Sequence, residues 1–154
     1  MDLSDLIEVS AIMPALKANS KKQVLQLLAE KAAATTGLPE REIFDTILQR
    51  ERLGSTGVGN GIAIPHGKLQ GIKNITGVFA RLETPVAFDA LDDQPVDLIF
   101  LLLAPEGAGA DHLKALSRIA RVLRDTETTE KIRGTQDANA IHTFLAEAPA
   151  SNAA

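Results

Sequence analysis

The 154-residue chain has no cysteine, no tryptophan and no tyrosine, and each absence removes a class of protein. Without cysteine there is neither a disulfide framework nor a thiolate metal site, a usage that fits a reducing compartment. With no Trp or Tyr and only five Phe, there is no aromatic platform on which bases could stack. The core must be built from Leu, Ile, Val and Ala. An excess of positive charge is missing as well: 16 Lys and Arg stand against 20 Asp and Glu, a formal net charge of −4. General nucleic-acid binding relies on cations that neutralise phosphates, so this balance argues against it. No apolar run approaches the roughly 18 residues of a membrane span. The opening residues, Met1-Asp-Leu-Ser-Asp5, carry acids where a signal peptide carries bases. The expectation is a cytoplasmic protein without membrane insertion.

What is present describes a folded chain. A hydrophobic content of 45% with 23% charge excludes disorder, and 154 residues make about one domain. That domain is expected over residues 1–147, with 148–154 as a flexible tail. Ser20 caps a helix whose face is Leu25, Leu28, Ala29 and Ala32 and which stops at Gly37. A second helix follows Pro39 with a stripe of Ile43, Phe44, Ile47 and Leu48 and ends at Gly54. Short strands are expected over Gly61–Ile64 and over Ile75–Leu82, with Pro85 separating the second from a short edge piece at Val86–Phe88. The run from Pro95 to Pro105 is continuously apolar, as in a strand covered on both faces, and is expected at the centre of the sheet. A helix capped by Asp111 follows, with Leu113, Leu116, Ala120 and Leu123 as its buried face, and two further helices run near residues 127–132 and 136–145. Helices before, between and after apolar strands make an α/β sandwich.

The densest signal is Gly54-Ser-Thr-Gly-Val-Gly-Asn-Gly-Ile-Ala-Ile-Pro-His-Gly-Lys68. Glycines at 54, 57, 59 and 61 let backbone N–H groups approach a ligand closely and suggest a cradle for an anion, with the His66 imidazole beside it as a nucleophile available near neutral pH. From the residues alone, His66 stands between this role and that of a structural histidine near turn-forming glycines. Two familiar glycine motifs fail. A dinucleotide fingerprint needs a strand before it and a helix after it, and here the order is reversed. A phosphate-binding P-loop needs four residues between its glycines and a Ser or Thr after the Lys, whereas Gly61 and Gly67 enclose five and Leu69 follows Lys68. His66, His112 and His142 lack metal-ligand spacing, so no metal is expected. His142 is given no role. His112 falls in the first turn of a helix that follows the central strand, where open α/β folds place their sites and helix N-termini attract phosphate. Arg52, just before the glycines, is a candidate forked cation for a phosphoryl oxygen.

The string from Arg52 to Gly67 resembles the phosphorylation-site signature of phosphotransferase-system IIA domains of the fructose/mannitol class. Residues 82–100, Leu82-Glu-Thr-Pro through Ile-Phe100, and Asp111-His-Leu-Lys-Ala-Leu-Ser117 are similar to the nitrogen-regulatory branch of that family. The resemblance implies a three-layer α/β/α sandwich around a small mixed β-sheet. It implies that His66 accepts a phosphoryl group from a histidine-phosphorylated HPr-like carrier, itself charged by Enzyme I from phosphoenolpyruvate. His112 then matches the second active-site histidine and Arg52 the arginine beside the phosphoryl site, with Ser55, Gly57, Gly59, Asn60 and Gly61 as phosphate-binding candidates. No metal or nucleotide cofactor is implied. The chain carries neither a IIB cysteine nor a membrane domain, which leans toward a regulator that binds partners according to its phosphorylation state. A sugar-transport IIA component that passes phosphate to a IIB cysteine is the alternative, and a nucleotide-binding module is the alternative of another class.

Overall fold

A computed structural model describes residues 2–148, so the segment 149–154 of the expected tail lies outside the described residues. Ala148, assigned to that tail, is buried against the core. The elements in chain order are β1 (Ile12–Leu16), α1 (Lys21–Thr36), α2 (Glu40–Arg52), β2 (Gly57–Gly59), β3 (Ile62–Ala63), β4 (His66–Leu69), β5 (Thr76–Val86), β6 (Val96–Pro105), α3 (Ala110–Arg124), α4 (Thr126–Arg133) and α5 (Ala138–Glu147).

The sheet is mixed, in the order β1-β5-β6-β3-β2, with β4 also paired to β6. Strand β1 runs parallel to β5, β5 antiparallel to β6, and both β3 and β4 parallel to β6. The proline-bounded run is therefore central, and its residues from Leu98 to Ala104 are all buried. Helix α1 packs on α2 and β5, and α2 packs on β4. Helix α4 packs on both α3 and α5, with α3 on β6 and α5 on β1. This is a three-layer α/β/α sandwich around a mixed sheet.

Local chemistry explains the elements. The Ser20 side chain accepts the Gln23 N–H at 3.1 Å, and Gly37 ends α1 with φ at 78°, the left-handed conformation that glycine adopts without strain. At Gly77, a Cβ would lie 2.6 Å from the Phe100 ring, so β5 can lie against that aromatic only without a side chain. Gly77→Ala is therefore expected to destabilise the fold by about 1–3 kcal/mol through overpacking, read as a lower urea midpoint at unchanged slope.

Three expectations need correction. Asp111 does not cap α3, which starts at Ala110 after Gly109 and holds Asp111 in its first turn. Strand β5 neither stops at Leu82 nor is broken at Pro85. It continues to Val86, which pairs with Val96 after a register shift, and Pro85 is exposed. The buried face of α3 is His112, Ala115, Ile119, Val122 and Leu123, whereas Leu113 is 66% exposed. Reading that helix from Leu113 placed the stripe one position late. The first strand, β1, and the strand β4 that carries His66 were not foreseen.

Candidate functional site

Strand β4 lies along the carboxyl half of β6 with His66 opposite Leu102, and helix α2 crosses it closely. A Cβ on Gly67 would meet the Thr46 methyl at 2.8 Å. That approach brings Arg50, one turn beyond Thr46, onto the histidine. Its Nε donates to His66 Nε2 at 3.3 Å, and its Nη1 donates to the Gly54 carbonyl at 2.9 Å. On the other side of the ring, His66 Nδ1 lies 2.9 Å from the Ile64 carbonyl. A carbonyl can only accept, so Nδ1 carries the proton and Nε2 presents its lone pair toward Arg50.

His112 completes a pair. The first turn of α3 holds its ring 5.6 Å from that of His66, tilted by 56°. It is 7% exposed, and its Nδ1 is buried with no hydrogen-bond partner among the described residues. Lys68 leaves β4 on the same face as His66, two residues on, and is exposed.

Both imidazoles are held below the ordinary value of 6.5. For His66 the main cause is burial; the Ile64 hydrogen bond opposes it, the Arg50 charge adds to it, and Glu51 opposes it. For His112 burial leads, followed by the charges of His66 and Lys68. Both rings are therefore neutral at neutral pH. In the window between the lowered folded values and about 6.5, the unfolded chain binds more protons than the folded one. Stability from this source is complete above about 6.5 and declines as pH falls through that window. Urea midpoints measured at about pH 7.5 and about pH 5.5 should drop less on acidification in a His66→Gln/His112→Gln double variant than in the wild type. Equal drops would contradict the lowered values.

The glycine segment is built differently from the expected cradle. Strands β2 and β3 form a hairpin whose two-residue turn is Asn60-Gly61, with φ of 57° and 80°, the arrangement favoured by Asn-Gly turns of type I′. Its tip is tied to protein groups. The Asn60 N–H donates to Asp92 at 3.0 Å, its carbonyl accepts from Arg133 at 2.8 Å, and Arg133 pairs with Asp97. The Gly61 carbonyl accepts the N–H groups of Asp97 and Leu98. Gly57 is packed so tightly that a Cβ would be 2.7 Å from that of Ala90. Ile62 stands opposite Leu98, four residues along β6 from the partner of His66. The tip carrying Gly59, Asn60 and Gly61 thus lies beyond a strand distance of about 13 Å. The structure does not bring these glycines and Asn60 to His66, because the hairpin uses their conformations and hydrogen bonds. Ser55 is nearer in the chain's path, but its hydroxyl donates to the Phe88 carbonyl at 2.7 Å and accepts the Gly57 N–H at 3.0 Å.

Arg52 is likewise elsewhere. Two residues along a helix turn a side chain by about 200°. Arg52 is exposed and lines a hollow of about 440 Å³ with Lys22, Leu25 and Leu48. The arginine at His66 is Arg50. Extending the buried pair Ile43 and Ile47 by one more turn leads to position 50, a signal available in the sequence. His142 Nε2 donates to the Ile7 carbonyl at 3.1 Å and ties α5 to the N-terminal segment. Among the described residues, no group of three or more His, Asp or Glu is placed to hold a metal ion.

Fold and site together define an α/β/α domain organised around a half-buried histidine with an unprotonated Nε2, an arginine that donates to it and a second imidazole. The chain belongs to the EIIA type 2 family of phosphoenolpyruvate-dependent sugar phosphotransferase systems, whose family model matches residues 5–148. It is similar to a nitrogen regulatory protein of Bradyrhizobium diazoefficiens, 60% identical over 99% of this chain and 100% of that one. It is also similar to a fructose-specific EIIA component of Haloferax volcanii, 33% identical over 95% of this chain and 96% of that one. Among solved structures, the nitrogen regulatory protein IIA-Ntr of Neisseria meningitidis superposes with a TM-score of 0.88 at 36% identity, covering 93% of this chain and 98% of that one. The chain is thus a phosphotransferase-type regulatory protein of the nitrogen-regulatory branch. Among the described residues, no helix is long and apolar enough to cross a membrane.

Proposed function

We propose that the protein accepts a phosphoryl group on His66 Nε2 from a histidine-phosphorylated HPr-like carrier, charged in turn by Enzyme I, and that its phosphorylation state decides which proteins it binds. The observation that carries this reading is the tautomer: Nδ1 is committed to the Ile64 carbonyl, and the lone pair of Nε2 faces the guanidinium of Arg50.

In the transfer, Nε2 attacks phosphorus in line and the phosphorus–nitrogen bond of the carrier breaks, its electron pair returning to the carrier's imidazole. The transition state is loose, with charge on the equatorial oxygens, so positioning and charge stabilisation do most of the work. Arg50 turns its fork from Nε2 to the incoming oxygens, and Lys68 adds positive charge on the same strand face. His112, neutral and with a buried Nδ1 that has no partner among the described residues, hydrogen-bonds the transferred group in this reading. The proton stays on His66 Nδ1, donated to the Ile64 carbonyl, throughout.

Phosphorylation adds nearly two negative charges beside two exposed leucines, Leu53 at 85% and Leu113 at 66% exposure, which adjoin the site in sequence. A surface of that kind changes its partners when its charge changes. The regulatory reading, rather than transport, is favoured by full-length identity to a nitrogen regulatory protein, well above that to the fructose-specific component.

The test is incubation with Enzyme I, carrier and phosphoenolpyruvate, followed by mass analysis of the His66 peptide. An acid-labile phosphoryl group on His66 is expected, and its appearance on another residue would overturn the assignment. Pull-downs with the two phosphorylation states should recover different partners; efficient onward transfer to a IIB cysteine would favour the transport role. Calorimetry with ATP should show no binding.

A further inference from the structure

Glu51 is the residue next to Arg50, and its carboxylate is buried, with a side chain 2% exposed. It accepts the Thr56 N–H at 3.1 Å, makes a short hydrogen bond with the Thr56 hydroxyl, and pairs with Lys21 Nζ at 3.0 Å. Lys21 is the first residue of α1, where the helix dipole disfavours a cation. Its place there is explained by Glu51 and by the Phe88 ring 4.7 Å beneath it. A buried carboxylate is costly unless paired and hydrogen-bonded, and this one is paired with Lys21 of α1 and hydrogen-bonded by Thr56 on the segment that leads to His66.

Two arms run from Glu51 to the two nitrogens of the histidine. In the first, Glu51 holds Thr56, the Thr56 carbonyl accepts the Ile64 N–H at 3.0 Å, and the Ile64 carbonyl accepts His66 Nδ1–H at 2.9 Å. In the second, the same contact fixes the turn after α2, whose Gly54 carbonyl holds Arg50 while Arg50 holds Nε2. We infer that Glu51 is the positioning residue of this site: through Thr56 and Ile64 it sets the tautomer and orientation of His66, and through the Gly54 turn it aims Arg50. It touches neither the ring nor a phosphoryl group. An amide at position 51 keeps the shape but loses the charge that holds Lys21 and both Thr56 donors, so the Thr56–Ile64 pairing shifts and the ring is released.

The kinetic part of this inference rests on His66 being the phosphoryl acceptor; the structural part does not. Long-range proton–nitrogen NMR on the unphosphorylated protein reads the His66 tautomer, and a separate time course with carrier reads acceptance, for wild type, Glu51→Gln, Glu51→Asp and Thr56→Val. The wild type should show one tautomer with Nδ1 protonated. Glu51→Gln should show a mixture and accept phosphate about 10²-fold more slowly, as displacements transmitted from outside a reacting centre do. Glu51→Asp should recover part of both, and Thr56→Val, which keeps the N–H contact, should fall between. Wild-type ring signals in Glu51→Gln overturn the inference, whatever the rate. Should Glu51→Gln fail to fold, Thr56→Val carries the test, and an unchanged tautomer there overturns the inference equally. A tautomer that responds in a protein taking no phosphate upholds the positioning role and removes the acceptor reading instead.

Discussion

His66→Ala is expected to take up no acid-labile phosphate from the carrier, whereas His112→Ala should accept it at the same residue roughly 10²-fold more slowly. The two imidazoles are 5.6 Å apart, one half-buried and the other buried, and burial holds both below the ordinary pKa, so charge does not separate acceptor from helper. Hydrogen bonding does. His66 has one nitrogen pinned to a backbone carbonyl and the other facing a guanidinium, the state required of a nucleophile. His112 has a buried Nδ1 without a partner among the described residues, the state of a group that gains a hydrogen bond when a phosphoryl oxygen arrives. Removing the nucleophile deletes the bond that forms; removing the helper deletes one contact in the transition state. Phosphate counted by mass, with its acid lability, separates the two. Uptake by His66→Ala at a wild-type rate, or its loss in His112→Ala with His66 phosphorylated normally in no condition, would reverse the roles.

Much of the fold was legible because local chemistry and burial agree. Ser20 and Gly37 bound α1 as their capping chemistry dictates, and the apolar run between Pro95 and Pro105 could be covered only on both faces, which places it mid-sheet. Where one residue plays an unusual part, the pattern misled. His112 occupies a buried position on α3, so counting only aliphatic residues moved the stripe to Leu113. Pro85 reads as a strand breaker, yet β5 passes through it beside a register shift where its missing N–H costs little. Strand β1 contains Pro14 and is five residues long, too short for a period to register.

The glycines illustrate the same limit at the site. Their density signals unusual backbone, and the backbone is unusual: Asn60 and Gly61 both have positive φ. Whether such a backbone embraces an anion or turns a hairpin depends on what lies across from it, here Asp92, Asp97 and Arg133 from distant parts of the chain. No local reading supplies those partners. The structure does bring together His66 and His112, one singled out by its place after the glycines and the other by its place after the central strand.

The arginine gives the sharpest contrast between sequence and structure. Arg50→Met is expected to slow phosphoryl acceptance by about 10²–10³-fold, the usual consequence of removing one preorganised donor from a developing negative charge, while Arg52→Met should change it by less than about twofold. Position in the chain favours Arg52, since it stands nearer the glycines. Helix geometry favours Arg50, because it continues the Ile43 and Ile47 face that α2 turns toward the sheet. The structure follows geometry: the guanidinium of Arg50 bridges His66 Nε2 and the Gly54 carbonyl, and Arg52 lines the hollow beside Lys22. Arg50→Lys separates charge from shape. A lysine retains the positive charge but offers no planar fork, so it should recover only part of the rate. It should also lose the bridge to Gly54 and leave the His66 ring less firmly held. Measured side by side with a saturating carrier, the Arg50 variants should lose maximal rate more than carrier affinity, because the guanidinium acts on the transferring group and not on the docking face. A large defect in Arg52→Met with a small one in Arg50→Met would return the role to Arg52 and require α2 to turn by half a rotation when the carrier binds.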